Sequence, residues 1–333
     1  MAGLTVSGEA VPTALHETLR AGAPVWFSGA GEVLDVRLEA SRRLAYSTVS
    51  RWQIRFAGGS QASVVVKAFP DAEVQFLALR AVWPAFADQH RWRVPRPLAL
   101  LGAGPALVMT AVEGPTLPER LPRWCPRLPS GKTQADCVRV AGWLRFYHDA
   151  TSAGQARLDT SVRIADAANA VARLAALGVT GGWTDDIRRV LDRLGPTLDG
   201  QALPAARVHG EFTADNVVVT DDAVGALDLW GRDENAVHHD VASFLNSLWL
   251  MRLTRPGLGP GAVAALGRAF TGAYFGPRPS ALDRRAAAFL QIAGLVDAAL
   301  EIAGRRRSRL ARAWLARVIG GAVAWLCSTE DLA

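Results

Sequence analysis

The stretch Val208-His209-Gly210-Glu211-Phe212-Thr213-Ala214-Asp215-Asn216, followed by Val217-Val218-Val219 and then by Asp228 in Ala226-Leu227-Asp228-Leu229-Trp230, constrains this chain more than any other feature. Val217 to Val219 and Val224 to Leu227 are short β-rich runs separated by Thr220-Asp221-Asp222-Ala223, a turn composition, so the segment reads as a loop feeding a hairpin. Such a hairpin brings Asn216 and Asp228 side by side. A carboxylate that can accept a proton (Glu211), a neutral amide oxygen (Asn216) and an anionic oxygen (Asp228) are the parts that phosphoryl transfer from a Mg-nucleotide requires. That chemistry asks the protein mainly to hold a hydroxyl in line with the γ-phosphate and to fix the metal against the phosphates. Turn capping by Asn216 and Asp228 is the structural alternative.

On these residues the chain resembles the aminoglycoside/choline phosphotransferase-like kinases, relatives of the protein kinases. Their loop reads His-Gly-Asp, four variable residues, then Asn, a hairpin and a metal-binding Asp. His209, Gly210, Asn216 and Asp228 match with the right spacing, and Asp240 in His239-Asp240-Val241-Ala242 resembles the family's later Asp-x-Ala helix start. Glu211 departs from the pattern, standing where the family has Asp, and its extra methylene shifts the carboxylate by about a bond length, enough to bear on in-line geometry. The resemblance implies an α+β, protein-kinase-like two-lobed fold: a small antiparallel-sheet lobe over 1–112 and a larger, mainly helical lobe over 113–333. It also implies ATP or GTP as phosphoryl donor, Mg²⁺ held by Asn216 and Asp228, Glu211 as base, and His209 in a structural role beneath the loop.

Lys67 and Lys132 are the only lysines among 37 Lys and Arg. Lys67 ends Ala62-Ser63-Val64-Val65-Val66-Lys67, a β-branched run that reads as a buried strand. In the family this lysine contacts the nucleotide phosphates and pairs with a helix Glu; Pro70 and Asp71 signal the helix start, and Glu73 is the candidate partner. Lys132 in Gly131-Lys132-Thr133 imitates the end of a P-loop but lacks its upstream Gly, occupied by Pro126, and lacks a preceding strand. Glu32 to Ala40 and Thr48 to Phe56 read as antiparallel strands, with Ser41 to Ser47 as a connecting loop that has no Gly-x-Gly-x-x-Gly. Phosphate contacts there fall to Ser41, Arg42, Arg43 or Ser47. Leu98 to Leu101, a turn at Gly102 to Pro105, and Ala106 to Gly114 resemble the last small-lobe strand and hinge, where backbone groups from Thr110 to Val112 hold adenine.

Beyond the hinge, apolar residues at helical spacing predict helices over Ala135–Thr151, Ser161–Leu177, Thr184–Leu194, Val241–Arg252, Ala262–Phe275, Ala281–Ala303 and Arg305–Trp325. With half of its 333 residues hydrophobic, the chain can bury one large or two medium cores. Met1 to Thr5 lack a basic region and apolar core, and uninterrupted apolar runs such as Val318 to Cys327 are shorter than the ~20 residues of a membrane span, so neither a signal peptide nor stable membrane insertion is expected. Three scattered cysteines suit a reducing cytoplasm. The net charge of +6 reflects an arginine-rich composition; Arg91-Trp92-Arg93 and the cluster Arg305 to Arg309, with Arg312 and Arg317, read as solvated faces, and no nucleic-acid motif is present.

The expected partner is a small-molecule hydroxyl acceptor, a sugar, an aminoglycoside-like compound or an amino alcohol. Trp183, Asp185, Asp186, Arg232, Asp233, Glu234 and Trp249 are candidates for contacting it, and a cavity bordered by Glu211, Asp228 and Arg232 to Glu234 is expected. Two competing readings use the same residues: a catalytically weak pseudokinase that regulates by binding nucleotide, and a metal-dependent phosphohydrolase built on His209 and His239-Asp240, whose ligands would sit on helices.

Overall fold

The computed structural model describes residues 13–44, 46–102, 105–122, 125, 129–231, 233–305 and 308–328. These divide into two compact units, one taken from Met1–Glu113 with Leu227–Trp230, the other from Gly114–Ala226 with Gly231–Ala333.

The small unit opens with helix α1 (Thr13–Trp26), followed by strands β1 (Val33–Arg43), β2 (Thr48–Phe56) and β3 (Gln61–Ala68), helix α2 (Ala72–Phe86), the two-residue strand β4 (Trp92–Arg93), and β5 (Pro97–Leu101) and β6 (Ala106–Thr110). β1, β2, β3, β6 and β5 form one sheet in that order, each neighbouring pair antiparallel. Ser50, Trp52, Ile54 and Phe56 alternate inward along β2, the period-2 pattern of a half-buried strand. With Val64, Val66 and Val108 they form a core against which α1 lays Leu15, Leu19 and Ala23, an i, i+4, i+8 stripe that the sequence reading did not pick out as a helix. Burying each of these large side chains contributes about 1.5–3 kcal/mol.

The connection between β1 and β2 is shorter than expected. Ser41, Arg42 and Arg43 are paired with Ser50, Val49 and Thr48, and the chain reverses where the Leu44 amide donates to the Ser47 carbonyl at 2.7 Å. A tight turn therefore replaces the expected Ser41–Ser47 loop, because long polar side chains are well tolerated at the solvated end of an edge strand.

The large unit holds the short helix α3 (Leu117–Arg120), α4 (Gly131–Ala150), strand β7 (Ser152–Arg157), α5 (Thr160–Ala176), α6 (Trp183–Leu198), β8 (Ala202–Arg207), the hairpin β9 (Val217–Val219) and β10 (Val224–Ala226), β11 (Glu234–Ala236), α7 (His238–Leu250), α8 (Pro260–Phe275), α9 (Ala281–Arg305) and α10 (Arg309–Cys327). The helices lie within a few residues of their expected bounds; the antiparallel sheet β11-β8-β7 was not expected. Caps explain several starts: Ser130 accepts from the Thr133 amide, and Asp159 accepts from the amides of Ser161 and Val162 at the head of α5. Lys132 lies in the first turn of α4, 3.4 Å from Asp221.

One correction and one further observation concern the C-terminal region. Arg305, expected to open the last helix, closes α9 instead, and α10 opens at Arg309; Arg306 and Arg307 lie outside the described residues. α9 and α10 are also each long and apolar enough to cross a membrane, although their uninterrupted apolar runs are short. α9 presents Phe289, Leu290, Ile292, Leu295, Val296 and Ala299 as a buried face and packs on α5, α6 and α7, as a core helix does. An aromatic cluster runs through the core of this unit: Trp143 stacks at 5.5 Å on both Tyr147 and Phe212, and Phe244 stacks at 4.2 Å on Phe270.

Candidate active site

Between Val208 and Asn216 the side chains alternate in purpose. His209 and Phe212 turn inward, fully buried, their rings edge-on to each other with centroids 5.4 Å apart, and His209 also meets the rings of Trp143 and Tyr147. Glu211 lies on the exposed side. Gly210 takes φ 91°, the left-handed region that glycine enters without strain, and so permits the sharp change of direction between the buried His209 and the exposed Glu211.

One buried carboxylate pins this loop. Asp240, 1% exposed in the first turn of α7, accepts from the His209 amide at 2.6 Å and the Gly210 amide at 3.0 Å, while His148 Nε2 lies 2.9 Å from the same carboxylate. His148 Nδ1 is 2.6 Å from the Tyr274 hydroxyl, which extends the network into α8. Burial pushes the Asp240 carboxyl upward, but its hydrogen bond to His148, the nearby histidines and the His209 amide outweigh that and hold it below the ordinary carboxylate range. Asp240→Asn leaves one oxygen to serve three donors and turns an NH₂ toward donors. It should cost about 3 kcal/mol in urea unfolding at neutral pH, since breaking a buried charge-assisted network strands its partners. A loss of only a few tenths of a kcal/mol would contradict the pinning role.

The loop's second half is closed by its own groups. The Thr213 amide and Asn216 Nδ2 both donate to the Glu211 carbonyl, at 2.8 and 3.0 Å, and the Ala214 amide donates to Ser247 Oγ at 2.9 Å. With its NH₂ committed, Asn216 keeps Oδ1 as an acceptor, the atom a hard cation would take. The hairpin forms as expected, Val217 facing Ala226, Val218 facing Gly225 and Val219 facing Val224.

In the small unit, Lys67 is 8% exposed and its Nζ lies 2.7 Å from Asp228 Oδ1, above the rings of Phe69 and Trp230 at 4.7 and 5.8 Å. Glu73 is not its partner. It stands exposed in the first turn of α2, whose inward face carries Gln75, Ala78, Leu79 and Val82, so helical phase turns Glu73 to solvent. Asp228 has φ 54°, the only positive φ outside glycine among the described residues. A strained non-glycine backbone persists where surrounding structure over-determines it, and functional sites are where such strain collects. Thr110 closes β6, its amide donating to the Arg96 carbonyl at 3.0 Å; the Ala111 amide donates to the Ser63 carbonyl, and the half-buried Val112 follows without a backbone hydrogen bond among the described residues.

A cavity of about 360 Å³ lies within the large unit, and Gly210 and Thr213, which flank Glu211 in the loop, form part of its wall. Asp233 lines it, as expected, but Glu211, Asp228 and Glu234, expected on its border, are not among its lining residues; Arg163, Asn235, His239, Asn246 and Asp297 take their place. Asn235 comes from β11 and the others from α5, α7 and α9, segments far apart in sequence, and no local pattern marks them as one wall. Of the other acceptor candidates, Trp183 and Trp249 are buried core residues away from the cavity wall, Asp185 lines a separate groove between α5 and α6, Asp186 pairs with Arg189, Glu234 is an exposed strand residue, and Arg232 lies outside the described residues. The alignment of α7 with α9 is set at their first turns, where His238 Nε2 is 3.0 Å from Asp283 Oδ1.

Burial, followed by the charge of Arg163, depresses His239 from 6.5 to about 4. The unfolded chain therefore takes up this proton near 6.5 and the folded chain only near 4. The cost is absent above the first value and fully developed below the second, so stability falls with pH across that window. His239→Gln should flatten the decline by roughly 3 kcal/mol at its acid end. Unfolding midpoints measured across this range for both proteins, if parallel, would remove His239 as the cause.

An antiparallel sheet unit, a helical unit and a pinned catalytic-type loop running into a hairpin define a protein-kinase-like enzyme. Over residues 48–289 the chain matches the phosphotransferase enzyme family, and it belongs to that family. No curated protein sequence matches it. Among solved structures it is similar to a choline/ethanolamine kinase family protein from Mesorhizobium loti (16% identity, 96% of each chain covered, TM-score 0.57). It is also similar to choline kinase from Cryptosporidium parvum (9% identity, 94% of each chain, TM-score 0.58) and to a macrolide 2'-phosphotransferase from Brachybacterium faecium (14% identity, 92% of this chain and 97% of that one, TM-score 0.51). At these identities the structural likeness is one of fold. Family membership makes the chain a small-molecule phosphotransferase and removes the phosphohydrolase reading.

Proposed function

We propose that the protein transfers the γ-phosphate of ATP, or of GTP, to a hydroxyl of a small molecule seated in the large-unit cavity. The observation that carries this reading is that Gly210, next to Glu211, and Thr213, two residues beyond it, form part of the cavity wall, so an acceptor filling the cavity lies against the loop that bears Glu211. Glu211 would take the proton from the acceptor hydroxyl as its oxygen bonds to the γ-phosphorus and the bond from that phosphorus to the departing diphosphate breaks. Asp240 would serve as a positioning residue, since it fixes the backbone on which Glu211 is mounted.

Asn216 Oδ1 and Asp228 are the donors suited to Mg²⁺, one neutral and one anionic hard oxygen. When bound, the ion supplies neutralisation of phosphate charge. Lys67 would contact the phosphates, and the backbone at Thr110 and Val112 would hold adenine. The free thiols Cys125, Cys137 and Cys327 agree with a cytoplasmic enzyme. A panel of alcohols, sugars, aminoglycosides and amino alcohols scored by ADP release tests the reading. An acceptor that raises ADP release well above the solvent rate supports it; nucleotide binding with no acceptor-dependent release favours the pseudokinase.

A further inference from the structure

The charges in the cavity wall say more about the acceptor than its volume does. Arg163, in the first turns of α5, and Asp297, on α9, both line the cavity, and neither has a hydrogen-bond or ion-pair partner among the described residues, not even each other. They are close enough for the Arg163 charge to act on Asp297, whose carboxyl is raised by desolvation and by Asp166 against that influence. His239 is neutral at physiological pH, so Arg163 is the only cation in the described wall. The Asp240 carboxylate is taken by the loop amides and His148, and Asp233, whose backbone carbonyl accepts from the Val208 amide, adds a second anion next to the loop, so the wall offers one cation against an excess of anions.

An acceptor with only a cationic group would leave Arg163 facing it and unpaired; one with only an anionic group would do the same to Asp297. A neutral acceptor would desolvate both charges and compensate neither, which is costly in a partly enclosed site. An acceptor whose two ends carry opposite charges satisfies both. We propose that the acceptor is a hydroxyl-bearing zwitterion, its anionic group on Arg163 and its cationic nitrogen on Asp297, with the hydroxyl presented toward the loop. This rests on the phosphotransferase reading for the hydroxyl but not for the charge pattern.

The test separates the two. Two matched sets are used: L-homoserine, its amide and γ-hydroxybutyrate; and L-carnitine, its amide and β-hydroxybutyrate. In each, the zwitterion is compared with a cation-only and an anion-only relative. Binding is measured by calorimetry and turnover by ADP release. In at least one set the zwitterion should bind about ten-fold or more tightly than either relative, the scale expected when one partner of a desolvated charge pair is missing. Arg163→Gln should abolish its advantage over the amide, and Asp297→Asn its advantage over the hydroxy acid. Wild-type binding alone decides the matter should either variant fail to fold. An amide that binds as well as its zwitterion in both sets, or zwitterions that do not bind at all, would overturn the inference. Zwitterion binding without ADP release would instead sink the kinase reading and leave the pocket assignment standing.

Discussion

Glu211→Gln is expected to lower kcat by about 10²-fold or more with nucleotide affinity nearly intact, because the lost interaction, acceptance of the acceptor's proton, is made only in the transition state. The substitution keeps the shape of the side chain and leaves the Asp240 and Ser247 contacts untouched, since these are made to backbone amides. Glu211→Asp should keep measurable activity. Its shorter carboxylate restores the Asp of the family's loop pattern but draws back by about a bond length from the acceptor hydroxyl. Turnover by the Gln variant at the wild-type rate would remove proton acceptance from the mechanism and leave positioning to account for the rate.

Asp228→Asn should lower kcat/KM by about 10³-fold and abolish the Mg²⁺-dependent part of ATP binding. Asn tolerates the left-handed backbone found at this position, so the change isolates the charge from the strain. It also releases Lys67 from its 2.7 Å ion pair. Lys67→Ala should accordingly weaken ATP far more than adenosine, since the lysine's role is with phosphates. Thermal shift with ATP, with and without Mg²⁺, and with adenosine reports both substitutions. Stabilisation that ignores the metal and both changes would place the nucleotide elsewhere.

The parts of this site that were legible in the sequence are those held by local chain geometry. His209 to Asn216 and the Val-rich hairpin are short-range structures, and their residue types and spacing are nearly sufficient to specify them. The amphipathic helices were legible for the same reason. What escaped was set by helical phase or by packing between distant segments. Glu73 has the right chain position for a lysine partner but the wrong phase on α2, and Lys67 instead meets a carboxylate from far along the chain. Strands β7, β8 and β11 are rich in Ala, Gly and polar residues, include Pro204, and carry no β-branched residue; tertiary pairing overrides their propensity. Helix α1 was overlooked although its stripe is visible once Leu15, Leu19 and Ala23 are taken together. Arg163, His239 and Asp297 meet only because α5, α7 and α9 pack, and no single segment announces that.

The most direct measurement of the account is the fate of the γ-phosphate. With wild-type protein, Mg-ATP and an acceptor selected by ADP release, phosphorus NMR and mass spectrometry should find one phosphorylated acceptor for each ADP formed, with the phosphate on its hydroxyl oxygen, and Glu211→Gln should form it about 10²-fold more slowly. ADP accompanied only by inorganic phosphate, or a phosphorylated acceptor made equally fast by the Gln variant, would contradict the account.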